Sequence, residues 1–236
     1  MRTSIEWTDS TWNPVTGCTK VSLGCQHCYA ERMSSRLRAM AHPRYANGFK
    51  VTLHEDLLDL PRTWAKPRMV FVNSMGDLFH GDVPLWFIRR VFESMRRSRQ
   101  HVFQILTKRA GRLLQLADKL DWSLNIWMGV TVESQAYVSR IESLRRTPAA
   151  VRFVSLEPLL GPIEQLELGQ IDWVIVGGES GPGARPMRPE WVRSVREKCL
   201  QADAAFFFKQ WGGVNKKRAG RVFDGQTWDQ YPLVRH

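Results

Sequence analysis

Three of the four cysteines in this 236-residue chain fall close together, as Cys18, Cys25 and Cys28, in the pattern C-x6-C-x2-C. Thiolates are soft ligands, and C-x2-C is a usual metal-binding spacing. Gly17 and Gly24 let the backbone curl so that several sulfurs can point at one centre. A cuboidal iron–sulfur cluster held by only three cysteines keeps its fourth iron open for an outside ligand. A zinc ion would instead complete a tetrahedron with His27 or a distant residue. A disulfide plus a spare thiol needs an oxidising compartment, and the first residues do not resemble a secretory signal, so a reducing cytoplasm is expected. Cys199 lies in the helical pattern of residues 191–200 and reads as a small buried apolar residue.

The loop at 17–29 must be carried by a larger body, and the composition supplies one. Hydrophobic residues make up 43% of the chain and ten residues are tryptophan, which suits a single well-packed domain over residues 1–236. No apolar stretch has the length needed to span a bilayer, so no membrane is expected as a partner. The net charge of +11 favours a polyanion through counterion release, nucleic acid first, with a generally basic surface as the plain alternative.

An extended stretch, Ile5–Pro14, leads into the cysteine loop, and Tyr29–Met40 follows it with helical spacing at Met33, Leu37 and Met40. Leu57–Pro61 is expected to be a short helix ending before the proline. From residue 68 apolar runs recur at 69–72, 102–106, 126–130, 151–156, 173–176 and 205–208. Helical stretches follow most of them, at 85–97, 109–119, 134–146 and 189–202. Continuous apolar runs alternating with helices indicate a parallel sheet covered on both faces. The fold class expected is α/β, a complete or partial barrel of parallel strands, with an open doubly wound sheet as the alternative. The segment from about 212 to 236 is expected to be a C-terminal extension, its charge run at 215–221 a solvated loop and Val222–Gly225 a tight hairpin turn whose end Trp228 and Tyr231 pack back on the barrel.

Polar residues stand directly after these runs: Asn73, Ser74 and Asp77, Lys108 and Arg109, Glu133, Glu157, Gly177, Gly178 and Glu179, and Lys209. In a parallel barrel they share the C-terminal rim, where such folds hold their active sites. The glycine-rich turn at 177–183 can admit a ligand close to backbone, or be a bare flexible turn, and Arg185 and Arg188 after it suit a carboxylate or phosphate.

The set Glu6-Trp7-Thr8, Trp12-Asn13-Pro14, Gly17-Cys18, Gly24-Cys25-x2-Cys28-Tyr29-Ala30, Asp77-Leu78-Phe79, Leu106-Thr107-Lys108-Arg109, Gly129–Glu133, Ser155–Leu159 and Gly177–Gly181 resembles a phage-associated three-cysteine family. That family is similar in turn to radical S-adenosylmethionine enzymes, whose usual cysteine spacing is C-x3-C-x2-C. The resemblance implies a radical-SAM-like barrel with a [4Fe-4S] cluster on Cys18, Cys25 and Cys28, and S-adenosyl-L-methionine bound at the fourth iron. It implies Tyr29 against the adenine, and a methionine contact from either Gly177-Gly178-Glu179 or Asn73, Ser74 and Asp77, with Glu133 also on the cofactor side. Lys108, Arg109, Glu157, Arg185 and Lys209 would serve catalysis or hold an anionic substrate. The function so implied is reductive cleavage of S-adenosylmethionine to act on a nucleic acid or nucleotide, with a reductant protein and a further partner protein as possible associates. Two other classes stay open, a zinc-stabilised nucleic-acid-binding protein without catalysis and a cluster protein for electron transfer or sensing.

Overall fold

The computed structural model of the protein describes residues 3–233. The ends of the expected single domain and of its C-terminal extension, residues 1–2 and 234–236, lie outside the described residues, as do the side chains of Lys216 and Lys217 in the expected charge run.

Seven parallel strands form one sheet in which spatial order follows chain order. They are β1 (Ser10–Trp12), β4 (Met69–Val72), β5 (Val102–Thr107), β6 (Ile126–Thr131), β7 (Val151–Leu156), β8 (Trp173–Gly177) and β9 (Ala205–Gln210). The sheet curls into a half-barrel, as the alternation of apolar runs and helices indicated. A two-stranded antiparallel ladder, β2 (Val15–Thr16) and β3 (Thr52–Leu53), stands beside it. Because every strand of the large sheet runs the same way, all of the turns after the strands open on one rim.

Two cores sandwich the sheet. On the convex side lie α2 (Leu85–Arg97), α3 (Ala110–Leu116), α4 (Arg140–Arg145) and α5 (Pro189–Gln201). In α2 the residues Phe87, Ile88, Val91, Phe92 and Met95 are buried, spaced to make one helical stripe, while Arg89, Arg90, Arg96 and Arg97 stay on the outside. Cys199 is buried on α5, where burial pushes its thiol up to about 12. No α-helix joins β7 to β8 among the described residues.

The concave side carries an aromatic floor of Trp7, Trp127, Phe153, Trp173 and Phe207. Trp7 and Tyr231 both reach Trp173, with ring centroids 6.1 and 5.2 Å away, so an early and a late segment of the described residues meet under the half-barrel. The C-terminal segment also covers the free edge of β9. Phe208 N–H donates to Trp228 O at 2.8 Å, and residues 207 and 229 form an antiparallel bridge. An edge paired in this way is no longer open to another chain.

Two local expectations are corrected. Pro61 lies in the first turn of a 3-10 helix, Leu60–Thr63, instead of ending a helix, because its fixed φ suits that place. The run at 215–221 contains a one-turn helix, α6 (Lys216–Ala219), and Asn215 Oδ1 accepts from Arg218 N–H at 3.2 Å in the manner of a cap. The hairpin turn is present, with Asp224 and Gly225 at φ 48° and 81°, the left-handed pair that a two-residue turn needs.

Two glycines give opposite outcomes for the same substitution. A Cβ on Gly129 of β6 would lie 2.4 Å from the ring of buried Phe153, whereas one on Gly111 of α3 meets nothing within 4 Å. Gly129→Ala is expected to lose about 1–3 kcal/mol through overpacking, and Gly111→Ala to gain about 0.5–1 kcal/mol from helix propensity. Urea denaturation of both variants beside the parent checks the pair.

Candidate metal centre at the barrel rim

The chain leaves β1, passes Pro14 and enters the cysteine loop under tight steric control. Gly17 has φ 86°, and a Cβ there would sit 2.2 Å from Lys50 O. Only glycine fits such a crossing. Its N–H donates to Met75 O at 2.9 Å, and Cys18 N–H donates to Phe49 O at 3.1 Å. Cys25 ends a 3-10 turn, Leu23–Cys25, and Cys28 stands just before α1 (Tyr29–Ala39). All three loop cysteines are free thiols and half-buried. Cys28 packs against the small cluster of Ala30, Tyr45 and Met75.

Three buried carboxylates, each following a different strand, hold this loop. Asp77, after β4, accepts from Phe79 N–H at 2.9 Å, Thr107 Oγ1 at 2.7 Å and Arg109 Nη1 at 2.9 Å. Arg109 then donates to Cys18 Sγ at 3.2 Å and to Thr19 O at 2.9 Å. Thr19 Oγ1 also meets His80 Nε2 at 2.9 Å. His80 Nδ1 accepts from Asp82 N–H, so in the neutral ring Nε2 carries the proton and donates. Burial, with Arg109 close by, pushes the His80 pKa down and favours that neutral ring.

Glu133, after β6, is fully buried. Its Oε2 accepts from Arg140 Nη1 at 2.8 Å, and its Oε1 accepts from Ser22 Oγ in the cysteine loop, with Lys108 Nζ at 3.5 Å. A Cβ on Gly24 would lie 2.5 Å from this carboxylate, so a bare backbone is needed where the loop crosses it. Tyr137 OH, whose ring lies under Arg140, accepts from Leu23 N–H at 3.2 Å.

Glu179, after β8, accepts from Arg185 Nη2 at 2.5 Å and Nε at 2.9 Å, and from His27 Nδ1 at 3.1 Å. Arg185 reaches on to Leu23 O at 3.0 Å. Burial of Glu179 works against its charge, but the hydrogen bonds from Arg185 and His27 prevail and hold the carboxyl at about 2. Burial, with Asp77 nearby, pushes the Cys18 thiol up from its ordinary range against the pull of Arg109.

The charged residues expected at the rim are thus all at one end of the half-barrel, but they divide into two sets. Asp77, Glu133 and Glu179, with Arg109, Lys108 and Arg185, are engaged with the loop or with each other. Glu157 and Lys209 pair at 2.5 Å, and neither has a hydrogen bond to the loop. Lys209 lies inside β9, which extends to Gln210, instead of after the strand. Asn73 accepts from Val15 N–H at 3.0 Å and Ser74 donates to Asn13 at 3.2 Å, so both brace the approach to the loop. Gly178 is a glycine for packing reasons, since a Cβ would fall 1.9 Å from Trp211 O. Gly177 leaves room for the Glu157 side chain, 3.3 Å from where its own Cβ would be. Tyr29 is exposed on the first turn of α1, and Arg188 pairs weakly with Glu190 at 3.8 Å on the surface.

Ser22, Thr19, Arg140, Tyr137 and His80 belong to the site without any signal in the local sequence. Ser155 is a further addition. It lies two residues after Phe153 on the concave face of β7, and its buried Oγ has no hydrogen-bond partner among the described residues.

Among the described residues no three His, Cys, Asp or Glu side chains are already gathered round one point as a metal site. The donor chemistry nonetheless fits soft metal. Three unpaired thiols share one loop, and an N–H donor such as Arg109 beside a sulfur is the outer-shell contact that tunes a metal-bound thiolate. His27 gives its Nδ1 to Glu179. Residues 2–232 match the family described as "Protein of unknown function (DUF5131)". No curated protein and no solved structure matches the chain.

The Glu179 clamp sets a pH dependence. Its carboxyl is depressed from an ordinary 4.5 to about 2, so its stabilisation is fully present above pH 4.5 and is lost as pH falls through 2. Glu179→Gln is expected to cost about 3 kcal/mol at pH 7, because Arg185 is left without its counter-charge. The gap between parent and variant should close as pH falls from 4.5 towards 2, as measured by urea denaturation across that range.

Proposed function

The chain belongs to that family, and we propose that it is an iron–sulfur enzyme of the radical S-adenosylmethionine type, with Cys18, Cys25 and Cys28 as ligands of a [4Fe-4S] cluster. The observation that carries this reading is the loop itself, three free thiols following the first strand of a parallel half-barrel at its C-terminal rim. When bound, such a cluster supplies an electron, received from a reductant protein, that splits S-adenosylmethionine into methionine and a 5′-deoxyadenosyl radical able to take hydrogen from a substrate.

The chain's own residues support that chemistry in separate ways. Arg109 sets the charge beside Cys18 and ties it to Asp77. The aromatic floor of Trp127, Phe153 and Trp173 closes the concave side from below, which keeps water from a reactive intermediate. Glu157 and Lys209, the rim pair without a hydrogen bond to the loop, are the groups that can meet a substrate by exchanging partners. Ser155, whose hydroxyl is unpartnered on the same wall, adds a donor and acceptor to them.

Anaerobic reconstitution with iron and sulfide, followed by reduction in the presence of S-adenosylmethionine, should yield 5′-deoxyadenosine. Alanine at Cys18, Cys25 or Cys28 should each abolish the product, while Cys199→Ala should retain it. Failure of the reconstituted parent to make any, or undiminished product from one of the three loop variants, would overturn the assignment.

A further inference from the structure

We infer that the outer stripe of α1 is a docking surface for single-stranded nucleic acid, which enters the rim beside the cysteine loop. The helix starts directly after Cys28, and its buried side is formed by Ala30 and Ser34, with Met33 and Leu37 half-buried. At 100° per residue, Tyr29, Arg32, Arg36 and the C-cap Met40 fall in one line that flanks the buried side. All four are exposed, Tyr29 to 58% and Met40 to 66%. Glu31, the acidic residue of the helix, lies off this line and pairs with Lys20 at 3.0 Å.

The stripe therefore presents an aromatic ring and two guanidinium groups with no carboxylate among them. Arg32 reaches the rim, where its Nη2 donates to Ser180 O at 2.7 Å in the turn after β8. Arg36 has no carboxylate partner among the described residues. Leu23 is 61% exposed on the cysteine loop.

Charge and shape together select the occupant. A chain of net charge +11 attracts a polyanion. Arginines spaced along a helix follow a phosphate backbone, and an exposed aromatic at the end of that line offers a face on which an unpaired base stacks. A duplex hides its base faces, so Tyr29 favours a single strand. The inference rests on the proposed function for the chemistry at the rim, but binding itself needs no cluster.

Fluorescence anisotropy with a labelled 20-nucleotide oligo(dT) tests it on the full chain. The parent should bind the single strand more tightly than the matching duplex. Arg32→Gln/Arg36→Gln should weaken binding and lower the salt slope by about 1.4, at roughly 0.7 for each phosphate no longer neutralised. Tyr29→Ala should weaken binding about tenfold or more with the slope unchanged. Arg99→Gln/Lys119→Gln removes the same charge from the opposite end of the strands and should leave affinity near that of the parent. Equal losses from the two double variants, unchanged binding in the stripe variants, or a preference for duplex or for anionic vesicles would overturn the inference. Iron content of the same preparations separates the two readings. Stripe-dependent binding by an iron-free protein supports this surface and contradicts the cluster, and iron-loaded protein that binds no oligonucleotide does the reverse.

Discussion

A carboxylate taken out of water must be met by donors or it does not stay charged, and three such carboxylates decide where the cysteine loop lies. Asp77, Glu133 and Glu179 are all buried, and each finds part of its donor set on or through that loop. Asp77 acts through Arg109 on Cys18 and Thr19, Glu133 takes Ser22, and Glu179 takes His27 and sends Arg185 to Leu23. Removing one partner from a buried pair costs about 3–5 kcal/mol, so loop and rim stand or fall together. A segment with little regular structure of its own thereby becomes a rigid platform between β2 and α1.

The half-barrel makes that arrangement possible. Its strands are all parallel and lie in chain order, so the turns after β4, β6 and β8 open on the rim where β1 delivers the loop. The aromatic floor closes the other end, and the pairing of residues 206–230 covers the edge strand. The same geometry separates two kinds of polar residue. Those that fix the loop are saturated with hydrogen bonds, whereas Glu157, Lys209 and Ser155 on the β7 to β9 wall have none to the loop. The rim thus sets a rigid group of loop-holding residues beside a less committed group.

Much of this was legible in the sequence because burial on both faces of a strand writes a continuous apolar run. Trp173–Gly177, buried at every position, is the clearest case. The rim location of Asp77, Glu133 and Glu179 followed from the same pattern. Their partners did not, since Ser22 and Glu133 are 111 residues apart and Arg185 and Leu23 are 162 apart, distances that no local period encodes. Gly178 was expected in a turn that either admits a ligand or is simply flexible, and it must be glycine because Trp211 O passes close by. Pro61 was expected to end a helix and instead lies in the first turn of one, since a proline suits either place.

The central claim is that the clamped loop is a cluster-binding platform, and its most direct test is metal and acid-labile sulfide analysis of the protein purified without oxygen. Iron and sulfide are expected in equal amounts, about four of each per chain. One zinc per chain with no sulfide, or a protein that takes up neither metal when both are supplied, would contradict it.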